Sequence, residues 1–293
     1  MTRPHPDSDD LTHAPLPDTP GRISRKIFHC VPDAGQLPET IQRNLQQLRA
    51  QNPGWEQLIM DDRRQAEFIQ TWGSPRLQAA YQRLNPAYGP ARADLFRYFA
   101  LYVMGGVYFD QKSGLQGPLD ALLQPDDQYL VGDGGDTVHP ELAHTVGGEY
   151  IQWFLAAAPR HPLLGAVLHQ VLQRIEQYSP LREGVGKMGV LRVTGPIAYT
   201  QALAPVLSQH PHRCIVAQQV GLLYTTLARE TSHMQLAGRR HYSELTAPVV
   251  LADPAWPLGR RLRHAGEALL AAVPERLRIL NRQRVARRRQ AQA

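Results

Sequence analysis

Apolar and polar residues along the chain fall into an alternation of short buried strands and amphipathic helices. Lys26-Ile27-Phe28-His29-Cys30-Val31 is a short apolar run closed by Pro32, which predicts a strand. Leu37, Ile41, Leu45 and Leu48 recur at helical spacing, predicting a helix from Pro38 to Ala50. Asn52-Pro53-Gly54 turns the chain into a second strand, Trp55 to Met60, followed by a helix through Phe68 and Ile69. Ala91 to Met104 has helical length and propensity and is apolar on nearly every side from Leu95 onward, and Gly105-Gly106 ends it. Val107-Tyr108-Phe109 then reads as a buried strand running into Asp110. Tyr129 to Val131 is another short strand, ending in the turn Gly132-Asp133-Gly134-Gly135-Asp136. Pro162 to Tyr178 is an amphipathic helix, and Thr194-Gly195-Pro196 opens another near Ile197. Strands alternating with helices in this order predict an α/β fold with a mostly parallel central sheet and added helices. No internal repeat at a fixed period is present.

Composition bounds this picture without changing it. The chain has 293 residues, 43% of them hydrophobic and 20% charged, ordinary for a globular protein. Met1 to Gly21 offers nothing to bury and lacks the basic start and apolar run of a signal peptide, so it is expected to be a disordered leader. The expected body runs from 22 to 257, and a basic amphipathic helical tail from 258 to 293. Two distant cysteines, Cys30 and Cys214, make no disulfide framework, which points to a cytoplasmic protein. No stretch is apolar for long enough to span a bilayer as a helix. The net charge of +6 is carried mainly by Arg260 to Arg289. Nucleic-acid binding through that tail is set aside, because it has no aromatic residues past Trp256 to stack on bases.

Two places carry candidate chemistry. Asp94 and Arg97 stand three apart and so share a helix face. They are either a surface ion pair or a cleft-facing pair for sugar hydroxyls, and the apolar surroundings demand that each charge find a partner. Asp110 ends an apolar strand, where α/β sheets bind ligands, and a carboxylate there suits a hard cation held against a diphosphate. A turn aspartate would look the same in isolation.

The run Ala91-Arg92-Ala93-Asp94-Leu95-Phe96-Arg97-Tyr98, followed by Tyr102 to Asp110, resembles the sugar-binding region of GT-A glycosyltransferases. It is most similar to family 32, the capsular-polysaccharide type, and more distantly to the clostridial glucosylating toxins. Ile27-Phe28-His29, Asn52 to Trp55, Pro118 to Asp120, Trp153 to Pro162 and Thr194-Gly195-Pro196 agree in order, so the resemblance spans roughly Arg25 to Tyr242. It implies a GT-A fold and transfer of a sugar from a UDP- or GDP-sugar to a glycan or lipid-linked acceptor. Asp94 and Arg97 would contact the donor sugar, and Tyr108 and Asp110 the nucleotide and metal. Phe28, His29, Cys30 and Val31 would line the base pocket, with Arg92, Gly106, Thr194 and Gly195 also near the donor. Retention through front-face attack is implied as well. The motif departs from Asp-x-Asp, because Asp110-Gln111-Lys112 lacks the second carboxylate. Lys112 could pair with diphosphate oxygens in place of part of a metal's charge. Mn²⁺ or Mg²⁺ would otherwise be completed at Asp110 by Asp133, Asp136 or, as favoured, His241. A catalytically inactive binding protein of the same fold is the alternative. The tail is expected to be a solvated helix packed on the body or a peripheral contact with an anionic membrane.

Overall fold

The computed structural model describes residues 11–13, 21–133, 139–145, 148–227 and 242–290. In chain order its strands are β1 (Lys26–Cys30), β2 (Glu56–Met60), β3 (Gly106–Phe109), β4 (Gly114–Leu115), β5 (Tyr129–Asp133), β6 (Phe154–Ala157), β7 (Arg213–Val216) and β8 (Leu222–Leu223). The helices are α1 (Glu39–Gln51), α2 (Asp62–Trp72), α3 (Pro75–Arg83), α4 (Gly89–Met104), α5 (Leu119–Leu122), α6 (Pro162–Glu176), α7 (Pro180–Glu183), α8 (Gly186–Val193), α9 (Pro196–Leu203) and α10 (Leu258–Gln290).

Six strands form the central sheet in the order β2-β1-β3-β6-β5-β7, and β4 pairs with β8 in a small second ribbon. The β1–β2, β1–β3 and β5–β7 pairs are parallel, whereas β6 runs against both β3 and β5. The expected mixed α/β class with a mostly parallel sheet is what the chain adopts. The carboxyl ends of β1, β2, β3 and β5 therefore share one edge, and the residues leading into the reversed β6 arrive at that same edge. Such an edge, outside strand carboxyl ends, is where ligands bind in α/β sheets.

Strand alternation divides the core. Phe28, Tyr108, Leu155 and Val131 face the larger apolar cluster built on α4, α6 and α9, while Ile27, Val107, Phe109 and Phe154 face a smaller one. Buried on both faces, these strands read as continuous apolar runs with no polar alternation. Helix α4 is covered on nearly all sides, and its apolar residues run around its circumference. It passes into β3 through Gly105 and Gly106, both at positive φ (64° and 113°). A Cβ at Gly105 would stand 2.5 Å from the Pro159 ring, and one at Gly106 2.6 Å from the Lys26 carbonyl, so only glycine fits this corner.

Two expectations need revision. Within the expected leader, Leu11 is fully buried, its carbonyl accepts from Ser74 N at 3.0 Å, and His13 N donates to the Trp72 carbonyl. Residues 11–13 thus dock on the α2–α3 turn; the remainder of 1–20 lies outside the described residues. The tail is helical as expected from Leu258 to Gln290, yet its buried side chains are His264, Ala272 and Glu275 while its leucines point away from the body.

A candidate donor-sugar site at the sheet edge

Asp94 and Arg97 project from α4 into the protein, 2% and 5% exposed, and are ion-paired at 2.7 Å. Arg97 also reaches Asp110 at 3.2 Å and donates to the Gln152 carbonyl at 2.7 Å. The second Asp94 oxygen accepts from the Thr194 hydroxyl at 2.8 Å, and Thr194 is itself held because its carbonyl accepts from Tyr98 Oη at 2.9 Å. Residues separated by a hundred positions in sequence are thereby joined across the core. Of the two readings of the Asp94–Arg97 pair, the surface ion pair is excluded by burial.

Tyr108 and Asp110 stand two apart and extend the same face of β3. The Tyr108 hydroxyl donates to Asp110 at 2.9 Å, and the Arg97 guanidinium lies over the Tyr108 ring at 4.4 Å. Asp110 N continues the β3–β6 pairing by donating to the Trp153 carbonyl at 2.8 Å. The Asp110 side chain is 27% exposed, so this buried chain of groups opens to solvent at that carboxylate. Asp94, Arg97, Tyr108, Asp110 and Thr194, each singled out in the sequence, form one connected network.

The electrostatics follow from burial. Burial pushes the Asp94 carboxyl up to about 6, against the pull of Arg97 and the Thr194 hydroxyl, so it is ionised at pH 7. Burial opposes the Arg97 charge too, but Tyr108, Asp94, Asp110 and Tyr98 outweigh it and hold the guanidinium well above its ordinary value. Tyr242 joins this field. Burial, followed by the charges of Asp94, Tyr224 and Asp110, raises its phenol.

The turn after Asp110 is fixed from α1. Asn44 donates to the carbonyls of Gln111 and Ser113, both at 3.0 Å, and accepts from the Thr226 hydroxyl at 2.8 Å. Lys112 in that turn places its ammonium 3.9 Å from the centroid of the Tyr224 ring, a cation–π contact. Tyr224 is 51% exposed and meets Trp153 edge-on at 5.7 Å. Lys112, Tyr224 and Trp153 thus make a partly open cationic and aromatic ledge beside Asp110.

Several expected donor contacts fall elsewhere. Phe28 is packed in the core at 1% exposure and presents no ring face to a base. His29 is fully buried, with Nδ1 donating to the Phe109 carbonyl at 3.1 Å and Nε2 accepting from Gln57 at 3.2 Å. Burial lowers it to about 4, so it is a neutral core histidine. Burial raises the Cys30 thiol to about 12, and the Val31 amide is taken by the Met60 carbonyl. Gly106 opens β3 at the end opposite Asp110 and serves backbone packing. Gly195 caps α9, where a Cβ would stand 2.8 Å from Leu191 Cα, so it too is a close-packing glycine. The Arg92 guanidinium lies over the Tyr81 ring at 4.4 Å, and its buried Nε has no hydrogen-bond partner. Arg92 is thus engaged with Tyr81, and its unpaired Nε is buried away from any ligand.

Among the described residues, no three His, Cys, Asp or Glu side chains group closely enough to hold a metal ion. Asp110 is a single hard oxygen donor already sharing one oxygen with Tyr108 and Arg97, which does not make a site for Mn²⁺ or Mg²⁺ by itself. Asp133 ends β5 and pairs with Tyr150 through a backbone bridge. Asp136 and His241 lie outside the described residues.

Sequence reasoning missed Asn44, Gln152, Tyr224 and Tyr242. Asn44 left a signal, being the polar residue on the helix face that carries Ile41, Leu45 and Leu48. Gln152 and Tyr224 sit in irregular segments and Tyr242 opens a single 3-10 turn (Tyr242–Glu244), all too short for periodicity to flag them.

Comparison with known proteins bears on the same stretch. Over 167 residues the chain is 26% identical to inositol phosphoceramide mannosyltransferase 1 of Schizosaccharomyces pombe, covering 54% of this chain and 47% of that protein. It is 24% identical over 177 residues to the initiation-specific alpha-1,6-mannosyltransferase of the same organism, covering 55% and 43%. The chain therefore spans about half the length of the curated relatives it matches. Among solved structures, the PaToxG glycosyltransferase is similar at a TM-score of 0.48 and 15% identity, over 66% of this chain and 71% of that one. The UDP-bound glycosyltransferase domain of the YGT toxin is similar at 0.45 and 8%, over 73% and 83%. Both likenesses are too loose to fix the fold by themselves. Residues 38–129, the stretch that contributes Asp94, Arg97, Tyr108 and Asp110, match the family model of the glycosyltransferase sugar-binding region containing the DXD motif.

Proposed function

We propose that this chain is a glycosyltransferase that moves a sugar from a UDP- or GDP-sugar to a glycan or lipid-linked acceptor. The observation that carries the reading is the Thr194–Asp94–Arg97–Asp110–Tyr108 network, which ends in one partly open carboxylate at the ligand-binding edge of the sheet. The match of that segment to a sugar-binding region supports it.

The residues divide the work. Arg97 and Tyr108 fix the Asp110 carboxylate so that it meets the donor without reorganising, which is how preorganised charge contributes most to catalysis. Asp94, anchored by Thr194, keeps Arg97 in place. Lys112 supplies positive charge beside the departing nucleotide diphosphate, where a second carboxylate would otherwise need a metal. Tyr224 and Trp153 offer apolar ring faces of the kind that sugar and base rings stack on. Transfer with retention, a role in capsular or other surface polysaccharide synthesis, and action on the cytoplasmic side belong to this proposal. So does a divalent ion at Asp110, completed by groups outside the described residues.

A second reading has one observation in its favour. Lys112 stands where the motif's second carboxylate would be and is engaged with Tyr224, as in a protein that binds nucleotide-sugar without turning it over. Nucleotide release from a panel that includes GDP-mannose and several UDP-sugars, with Mn²⁺ or with EDTA, separates the two. Release from one donor supports the transferase. Donor binding without release, even with a glycan acceptor supplied, supports the binding protein.

A further inference from the structure

Helix α10 meets the body through its polar side. His264 Nε2 donates to the Val250 carbonyl at 3.1 Å, Glu267 accepts from the Ser179 hydroxyl at 2.7 Å, and Glu275 is buried beside Gly186. At 3.6 residues per turn, Leu258, Leu262, Leu269, Val273 and Leu280 fall within about 60° of one another on the opposite side. Leu270 and Leu277 widen the stripe to about 120°. All seven are exposed, Leu269 the most at 69%. An apolar stripe about 33 Å long, from Leu258 to Leu280, thus faces away from the protein.

An amphipathic helix ordinarily buries its leucines and exposes its charges. Here the reverse holds, and single scattered apolar residues would need no explanation whereas an aligned stripe does. The charges around it decide what covers it. Between 258 and 293 the sequence has ten arginines and two glutamates. Both glutamates, Glu267 and Glu275, are turned to the body, while Arg263, Arg276 and Arg284 are exposed beside the leucines. With a whole-chain net charge of +6, the rest of the chain is net negative, so the excess of positive charge sits in this segment. A second copy of α10 laid on the stripe would bring arginine against arginine with no acid between them. Helix α10 runs on through Gly266 and Pro274, and although seven-residue apolar steps such as Leu262–Leu269 and Val273–Leu280 are present, Gly266 and Arg276 fall at the matching seam positions, so no sustained apolar heptad seam forms. An anionic lipid surface meets both demands, taking the leucines into the headgroup boundary and pairing the arginines with phosphates. No helix among the described residues is long and apolar enough to cross a membrane, so α10 would lie along the surface.

We infer that α10 is an interfacial helix that docks this protein on an anionic membrane surface through the Leu258–Leu280 stripe. This surface is separate from the donor site and does not depend on the reaction assigned to it.

The test is co-sedimentation of the full chain with phosphatidylcholine vesicles, with and without about 30% phosphatidylglycerol, at about 0.1 M and about 0.5 M salt. Binding is expected to the anionic vesicles only and to weaken at the higher salt. The double variant Leu269→Gln/Leu277→Gln should bind about tenfold or more weakly, with an unchanged unfolding midpoint because both side chains are already exposed. Arg263→Gln/Arg276→Gln should bind the anionic vesicles about tenfold or more weakly, and an unchanged affinity would count against the inference. No binding by the wild type, equal binding to neutral vesicles, or full binding by the leucine variant would each overturn the inference. A concentration-dependent dimer in sedimentation velocity, dispersed by the leucine substitutions without any vesicle binding, would assign the stripe to a second copy and overturn it as well.

Discussion

Helices α4 and α10 treat charge and apolar surface in opposite ways. In α4 two charged residues sit inside an apolar wrapping, and each is held by named partners: Asp94 by Arg97 and Thr194, Arg97 by Asp94, Asp110 and the Gln152 carbonyl. In α10 the wrapping is inverted, with acids packed inward and leucines facing out. Burying a charge is costly unless it is paired, and exposing an aligned apolar stripe is costly unless something covers it. The first demand is met within this chain, which marks α4 as an internally completed device. The second is left to something outside it. The two helices therefore differ in what a substitution should disturb.

The largest effect is expected at the centre of the network. Arg97→Ala leaves two carboxylates without their partner, one of them fully buried, and should cost on the order of 3–5 kcal/mol in urea unfolding. A loss below about 1 kcal/mol would mean that Asp94 finds its partner elsewhere.

Acid should be the next most damaging change. Burial holds His29 down to about 4 from 6.5, and His161 likewise, so the unfolded chain takes up protons first. The stability tied to each neutral ring is complete above pH 6.5 and is lost as pH falls toward 4, on the order of 3 kcal/mol for His29 at the low end. Unfolding midpoints measured from pH 7 downward should drop over that window, and less steeply in His29→Asn, whose amide can still donate to the Phe109 carbonyl. An unchanged slope in that variant would remove His29 from the account.

Thr194→Val is smaller and more specific. Losing the hydroxyl from Asp94 should cost about 1–3 kcal/mol. Donor turnover in the wild type should decline as pH falls through about 6, where Asp94 takes up a proton. Without the hydroxyl that stabilises the carboxylate, the decline should begin nearer neutrality, and Thr194→Ser should restore the wild-type profile. Smallest of all, Leu269→Gln on α10 should change stability by no more than about 0.5 kcal/mol, because that side chain rests on nothing in the body.

How much of this was legible in the sequence depends on the kind of order involved. The strong elements could be read because local chemistry fixes them. Ala91 to Met104 is too apolar for a surface helix, Gly105-Gly106 can stop it, and Val107-Tyr108-Phe109 must then be a buried strand. The reversed direction of β6 was not legible, because Phe154–Ala157 is an apolar run with no marker of polarity, and its antiparallel pairing with β3 is a tertiary fact. Asp94, Arg97 and Asp110 could be named from their spacing, but the Thr194–Asp94 bond joins residues a hundred positions apart. Phe28 to Cys30 shows the converse error. Their order fits a donor-binding strand, yet alternation turns Phe28 and Cys30 into one apolar cluster and His29 toward Phe109 on the other face. In the tail the amphipathic pattern was plain from Leu258 onward. Which side would face the body was not, because that depends on the polar partners Ser179, Val250 and Gly186 waiting on the surface.

The central claim is that the buried network exists to present Asp110 to a nucleotide-sugar. The most direct test is nucleotide release by the wild type and by Asp110→Asn across the donor panel, with donor affinity followed in parallel. The account predicts release from at least one donor and a fall of roughly 10²–10³ in rate in the variant, whose folded state stays intact. Equal release by the two proteins, or none by either despite tight donor binding, would contradict it.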